Sequence, residues 1–398
     1  MTELRRHHDV VLTAVLIRWV ELAPAACPDL VRFDRPHAPG AAKRAGVRYA
    51  LGMQAFFGRR WSPSGLGPVG QGVMMAALGA IAFSGKAIVA KLMYKLGADA
   101  VSAVGLRMAM AFPLFLCMAW WSGRVAAPDG RSPRPLGARG WWQVAGLGFM
   151  GYYLASTLDF LGLQYISASL ERAILYLNPT LVLLLSALWY RQRVSPAQIL
   201  AVGLAYAGVA VVWLHDWDAA QLLSSQAGAV GGAEAMRAVT LGSVLVFGSA
   251  LSYAIYLMGS GQLVQTLGSL RLVGHASCVA CVLCLLQWGL VAWWTDGRLG
   301  GISALPWQAY ALSVLNAVAC TVLPVWLVMR GVQLLGASLA AQVGMVGPLS
   351  TIWMAAWWLC EPVTGRLMLG TAAILGGIVI LTRAARAPSK ADPTRATP

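Results

Sequence analysis

LGLQYISASLERAILYLNPTLVLLLSALWYRQR, residues 161–193, decides how the chain is built, because most of it returns further on. The later stretch VQLLGASLAAQVGMVGPLSTIWMAAWWLCEP, residues 332–362, aligns with 163–193 without a gap. Gln164 and Gln333, Ala168 and Ala337, Ser169 and Ser338, and Leu170 and Leu339 stand 169 residues apart. So do Pro179 and Pro348, Trp189 and Trp358, Val194 and Val363, and Gly208 and Gly377. One offset held over about 45 residues makes the chain two copies of one unit. Each copy is too apolar to fold in water, so the copies read as halves of a membrane protein.

Composition supports this. Of 398 residues, 58% are hydrophobic and 11% charged, and the mean hydropathy is +0.66. A soluble domain carries about 25% charged residues, so this chain cannot clothe a globule in hydrated surface. The net charge of +15 would ordinarily raise nucleic acid as a partner. Here most Lys and Arg lie outside the apolar runs, and a bilayer with positive flanks explains them better. Five of the seven Cys fall inside apolar segments and Cys360 lies just past the end of one, unlike a secreted disulfide framework.

From Gln71 onward, apolar segments at 72–90, 100–121, 142–163, 168–189, 197–214, 239–259, 272–294, 306–329, 337–358 and 366–382 predict ten transmembrane helices. Helix is the default, because a lone strand would leave its amides unpaired in lipid. The copies are 72–214 and 239–382, five spans each. An odd number of spans makes the second copy enter from the opposite side, which gives inverted repeats. The fold class expected is an all-α integral membrane protein. Residues 1–70 read as a basic, disordered cytoplasmic extension: Val10–Ala23 is too short to span and is interrupted by Arg18 and Glu21. An upstream start is the alternative there, with Met53 and Met74 as later initiation points. Residues 383–398 read as a cytoplasmic tail.

Loop charges give the expected orientation. With the N-terminus inside, Arg124, Arg131, Arg134, Arg139, Arg191, Arg193, Arg271, Arg383 and Arg386 face the cytoplasm. Asp216, Asp218 and Glu234 with Arg237, Asp296 with Arg298, and Glu361 with Arg366 then face outward, and the first outside loop dissents with Lys91 and Lys95 against Asp99. Both termini are expected inside.

Ten spans in a five-plus-five repeat, each half with a mid-helix proline, resemble the EamA-type members of the drug/metabolite transporter superfamily. The residues that carry this are Leu158 to Ala168, Leu170-Glu171-Arg172, Asn178-Pro179, Val346-Gly347-Pro348, Glu361 and the helix holding Gly370 and Gly377. The resemblance covers about 70–385 and implies a carrier, often an exporter of small metabolites or amino acids. The family pattern ends the fourth and ninth spans with Glu. Here the ninth has Glu361 but the fourth has Gln192.

Charges inside a span are costly and by default functional. The first half holds Lys86, Arg107, Asp159, Glu171 and Arg172. Asp159 and Arg172 lie at matching depths either side of the turn near Tyr165, which makes a salt bridge between them plausible. Glu171 is then the best candidate for a coupling-proton site. Structural ion pairing is the competing reading of all five. Pro179 and Pro348 each remove a backbone hydrogen bond and are expected to kink their helices near the middle, as hinges or as packing kinks. Tyr176 and Asn178 beside Pro179, with Asn316 and Gln342 in the second half, are the neutral polar residues placed on the pathway; Tyr253 and Tyr256 lie at equivalent depth. Helix–helix hydrogen bonding is the alternative for each.

His275, Cys278, Cys281 and Cys284 do not make a metal site. Steps of three residues sweep them round half a helix over roughly 13 Å, too far for one ion. Small residues four apart, Ala201 with Ala205 and Gly203 with Ala207, either pack the fifth span internally or build a homodimer face. Nucleotide-binding, catalytic and cofactor motifs are missing, so neither an enzyme nor a primary pump is expected. The expected function is a secondary transporter exporting a small polar, amino-acid-like molecule by alternating access, without cofactor. A lipid-linked sugar flippase and a non-transporting scaffold or sensor are the rival readings.

Overall fold

The computed structural model describes residues 67–122, 137–191, 194–226, 232–296, 305–335, 340 and 343–386. The extension expected over 1–70 lies outside them up to residue 66, and so do Gln192, Gln342 and residues 387–398. Among the described residues the elements are helices, without a strand. They are α1 (Pro68–Lys95), α2 (Ala100–Ser122), α3 (Ala138–Leu163), α4 (Ala168–Tyr190), α5 (Pro196–Gln226), α6 (Gly232–Leu267) and α7 (Ser269–Asp296). Then come α8 (Trp307–Ala317, continued through 335), α9 (Val346–Met354, continued through Leu359) and α10 (Gly365–Arg386).

Nine helices among the described residues are long and apolar enough to cross a membrane. They coincide with nine of the ten expected spans. The remaining one, expected at 337–358, falls partly outside the described residues, and its described part is α9. The protein is a multi-pass membrane protein. Its surface bears this out: Trp142, Trp189, Trp293, Trp294, Trp353 and Trp357 are exposed, beside many exposed Leu and Val. So large an apolar surface has its place in lipid rather than water.

The repeat reaches into backbone detail that side chains do not advertise. A π-helical segment begins at Phe149 in α3 and another at Val318 in α8, 169 residues apart. α4 and α9 each end on a left-handed, non-glycine residue, Arg191 with φ 51° and Cys360 with φ 58°, again 169 apart. The main helix contacts recur when the halves are exchanged. α2 lies against α7 and α5 against α10, while α1 lies along α8 and α9 as α6 lies along α3 and α4.

The α5–α10 crossing shows the symmetry at atomic scale. A Cβ on Gly208 would stand 2.6 Å from the Gly370 carbonyl oxygen, and one on Gly377 2.7 Å from that of Ala201. The offset of 169 turns one of these contacts into the other. Backbones approach this closely only where side chains are missing or minimal. Ala201 and Ala205 are therefore spent inside the fold, both fully buried, whereas Gly203 and Ala207 stay exposed. Around the crossing, Leu170, Ile174, Val212, Leu367, Ile374 and Ile378 form the apolar core.

Candidate functional site

α4 carries most of the site, and its start is held from three sides. Ser167 caps it, its hydroxyl oxygen accepting from the Leu170 amide at 3.0 Å. Ser167 donates in turn to Asp216, from its amide and its hydroxyl, both at 2.9 Å. Glu361, beyond the end of α9, accepts from the Ala168 amide at 3.0 Å and the Ser169 hydroxyl at 3.1 Å. Free amides and the helix dipole make a helix start a favourable place for carboxylates. Glu361 thus ties the second half to α4, a role the sequence did not suggest.

Eight residues after its start, α4 breaks. Pro179 has no N–H to give to Leu175 and its ring crowds that carbonyl. The chain responds by leaving helical geometry at Tyr176 and Leu177, whose ψ angles are −4° and −8°. The expected kink at Pro179 is an interruption just before it. α9 is described only from just before the matching point, where Gly344 and Met345 form a turn ahead of Pro348. Pro348 cannot donate to the Gly344 carbonyl, which accepts instead from the Gly347 amide at 3.0 Å. The Tyr176 hydroxyl also donates to that carbonyl, across the halves, at 2.9 Å. A Cβ on Gly347 would stand 2.2 Å from the Tyr176 hydroxyl, so a side chain there would displace that hydroxyl. Ser84 of α1 donates to the Gly347 carbonyl at 2.9 Å.

The five intramembrane ions are all buried. Lys86 of α1 donates to Asp159 of α3 and lies 3.6 Å from Glu171 of α4. Arg172 lies 3.7 Å from Glu171 and donates to the Phe83 carbonyl at 3.1 Å. The partner of Asp159 is therefore Lys86, not Arg172 as its depth had suggested. Arg107 of α2 stands apart, its guanidinium 4.6 Å above the Phe160 ring, with Nε and Nη2 making no hydrogen bond. Both Glu171 oxygens and Asp159 Oδ1 also lack hydrogen bonds. Two cations, Lys86 and Arg172, are paired with two carboxylates, Arg107 lies beside them without an ion pair among the described residues, and several polar atoms are unsatisfied.

A small cleft opens beside this cluster, between α4, α9 and α10. It is lined by Ser169, Arg172, Ala173, Tyr176, Pro348, Ile352, Thr371 and Ile374. Arg172 belongs to both cluster and cleft. Of the expected pathway residues, the cleft takes in Arg172, Tyr176 and Pro348. Asn178 follows the α4 break, its Oδ1 buried without a partner. Asn316 is fully buried on α8, and neither amide atom has a hydrogen-bond partner. Gln342 lies outside the described residues. Tyr253 and Tyr256 stack with centroids 5.5 Å apart, and the Tyr256 hydroxyl sits 3.1 Å from that of Tyr152. His275 shares a hydrogen bond with the Arg271 carbonyl at 2.8 Å, and Cys281 lies 3.7 Å from the Met108 sulfur. Sequence reasoning missed Thr371, Ile352 and Ile374 as cleft residues. Ser169 at least stood out as a position shared by both copies.

A chain from Bacillus subtilis (strain 168) named "Uncharacterized transporter YcbK" is 30% identical over 290 residues, 73% of this chain and 86% of that protein. A second from the same organism, "Uncharacterized transporter YvbV", is 27% identical over 241 residues, 59% of this chain and 69% of the other. A solved structure covers 79% of this chain and 97% of its own at 18% identity, with a TM-score of 0.49. The model of the EamA-like transporter family matches twice, at 70–214 and at 240–383. With both halves accounted for by one family, the protein is a membrane transporter and belongs to the EamA-like transporter family.

Proposed function

We propose that the protein is a secondary exporter of small polar, amino-acid-like metabolites, working by alternating access across a cytoplasmic membrane with both termini inside. The observation that carries this reading is the buried cluster of Lys86, Arg107, Asp159, Glu171 and Arg172 beside a cleft at the junction of the halves. Buried charges left short of hydrogen bonds are a standing cost to the fold, and a transporter recovers that cost when a polar solute or a proton arrives. Arg107, a buried cation without a carboxylate partner beside the balanced pairs, favours a solute with a carboxylate. Two near-equal halves suit a site that opens to either side in turn. Glu171, wedged between Lys86 and Arg172 without a hydrogen bond, is the residue assigned to the coupling proton.

The test compares cells overproducing the wild type, cells overproducing Glu171→Gln and cells with empty vector. Metabolites are profiled in medium and cytoplasm at matched membrane levels. A definite small set released by the wild type alone supports both export and the coupling role. Release undiminished by the substitution removes Glu171 from the mechanism. Identical profiles in all three lines refute export.

A further inference from the structure

One contact closes the cleft toward the face where α9 ends. Ser169 is part of the cleft wall, and its hydroxyl donates to Glu361 at 3.1 Å. The other Glu361 oxygen accepts from the Ala168 amide at 3.0 Å. The carboxylate is anchored to α9: the Glu361 amide donates to the Ala355 carbonyl at 3.2 Å, just after the left-handed turn at Cys360. Both side-chain bonds therefore run from the second half to the first turn of α4. The neighbouring tie of Ser167 to Asp216 stays within the first half, on α4 and α5. The cleft behind has room for about one water molecule, so anything larger enters only when it opens. Glu361 also has a second place to go. Lys91 lies on α1, which packs along α9, and it feels the charge of Glu361 more than that of any other group. Lys91 is half-buried and forms no ion pair among the described residues.

Building on the alternating-access reading above, we propose that Glu361 is the latch of a gate: bonded to the start of α4 it shuts the cleft on the α9-end face, and that face opens when the halves part and the carboxylate leaves. Lys91 travels with α9 and receives the carboxylate in the open state, so the released charge is not left without a partner. Ser167 and Asp216 keep the first turn of α4 capped meanwhile. The latch thus has two seats for one carboxylate, and its cost of opening is the difference between them.

The test reads access to the cleft from each face. Ala173→Cys, on the cleft wall, is the reporter, and the probe is the membrane-impermeant thiol reagent 2-sulfonatoethyl methanethiosulfonate. It is applied to intact cells or to inverted membrane vesicles holding the full-length protein. Mass spectrometry follows the labelled fraction of the peptide containing position 173, which keeps the native cysteines apart. In this background Glu361→Ala is expected to speed labelling from the α9-end face about tenfold, as loss of a charge-assisted hydrogen bond implies, and to slow it from the opposite face. Glu361→Gln, which keeps one acceptor oxygen for α4 instead of two, falls between. Lys91→Met empties the open seat and is expected to slow labelling from the α9-end face. Ser167→Ala loosens the same helix start from within the first half and is expected to leave the ratio of the two faces unchanged. Unchanged rates in Glu361→Ala, acceleration from both faces alike, or Lys91→Met acting in the same direction as Glu361→Ala each overturns the latch. The α9-end face is the outer one in the orientation proposed above, so acceleration seen in inverted vesicles instead refutes that orientation and supports the latch. Export is decided separately, by metabolite release from cells.

Discussion

Replacing Asp159 by Asn asks what holds the ion cluster together. Asp159 is 1% exposed and is the nearest anion to Lys86. Breaking a buried ion pair by removing one partner costs about 3–5 kcal/mol, chiefly because the other charge is left uncompensated. Here compensation is partial, since Glu171 stays 3.6 Å from Lys86. At an effective dielectric near 20, that separation is worth roughly 4–5 kcal/mol of attraction. The loss therefore falls at the low end, about 3 kcal/mol, or about 5 °C in melting temperature. The paired replacement Lys86→Met with Asp159→Leu removes both ions and is expected to be as stable as the wild type or more so. The assay is thermal unfolding of the detergent-purified protein, followed by size-exclusion recovery after heating. An Asp159→Asn protein that melts with the wild type refutes the reasoning. So does a double variant that melts below the single one.

Other consequences are open to measurement. Gly208→Ala and Gly377→Ala push a methyl into a backbone carbonyl across the α5–α10 crossing at 2.6 and 2.7 Å, so each is expected to destabilise by about 1–3 kcal/mol. The repeat symmetry further demands that their melting shifts agree. Gly347→Ala, whose new methyl meets the Tyr176 hydroxyl at 2.2 Å, is expected to impair transport and stability, and Tyr176→Phe in the same chain is expected to recover part of the stability in the same melting assay. Ser167→Ala removes the α4 cap and the contact to Asp216, for an expected loss of about 1 kcal/mol; a melting temperature equal to wild type counts against the capping role.

The outline of the fold was legible because lipid imposes one rule, a long apolar helix, and because the offset of 169 survives in side chains along α4 and α9. The offset then predicts features that no side chain marks, such as the paired π segments and the left-handed ends at Arg191 and Cys360. Azimuth was not legible. Depth along a span can be counted from the turn at Tyr165, and it placed Asp159 and Arg172 level. It says nothing about which way α1 turns Lys86, and that rotation decides the pairing. Helices buried on several sides carry no polar stripe from which to read it. Thr371 gave no signal either, since a threonine bonded to its own helix is ordinary in an apolar span. The part of Glu361 was hidden for a different reason: it acts through the backbone amide of Ala168, nearly two hundred residues earlier, and backbone partners leave no trace in composition.

The sequence halves are not the packing halves, and the difference bears on mechanism. α1 is first in the chain, yet it lies mainly along α8 and α9, and α6 lies likewise along α3 and α4. Lys86 therefore rides on a helix packed with the second half, while Asp159 and Glu171 sit on helices packed with α6. Its ion pairs join the two packing groups. The Arg172–Glu171 pair, by contrast, links neighbours on one helix and travels with it. The Tyr176–Gly344 bond also crosses between the groups, but it is a neutral hydrogen bond worth about 1 kcal/mol net. Any rocking of the groups changes the bonds of Glu361 to the start of α4 and of Arg172 to the Phe83 carbonyl, together with the distance from Lys86 to its carboxylates. Loading Glu171 with a proton weakens that link from one side, which is how a bound proton can bias the motion. Lys86→Met in the Asp159→Leu background should then keep the fold and the cleft but lose the dependence of export on the proton gradient. The readout is export of a released metabolite with and without an uncoupler. A double variant that still responds to the uncoupler as the wild type does excludes Lys86 as the link.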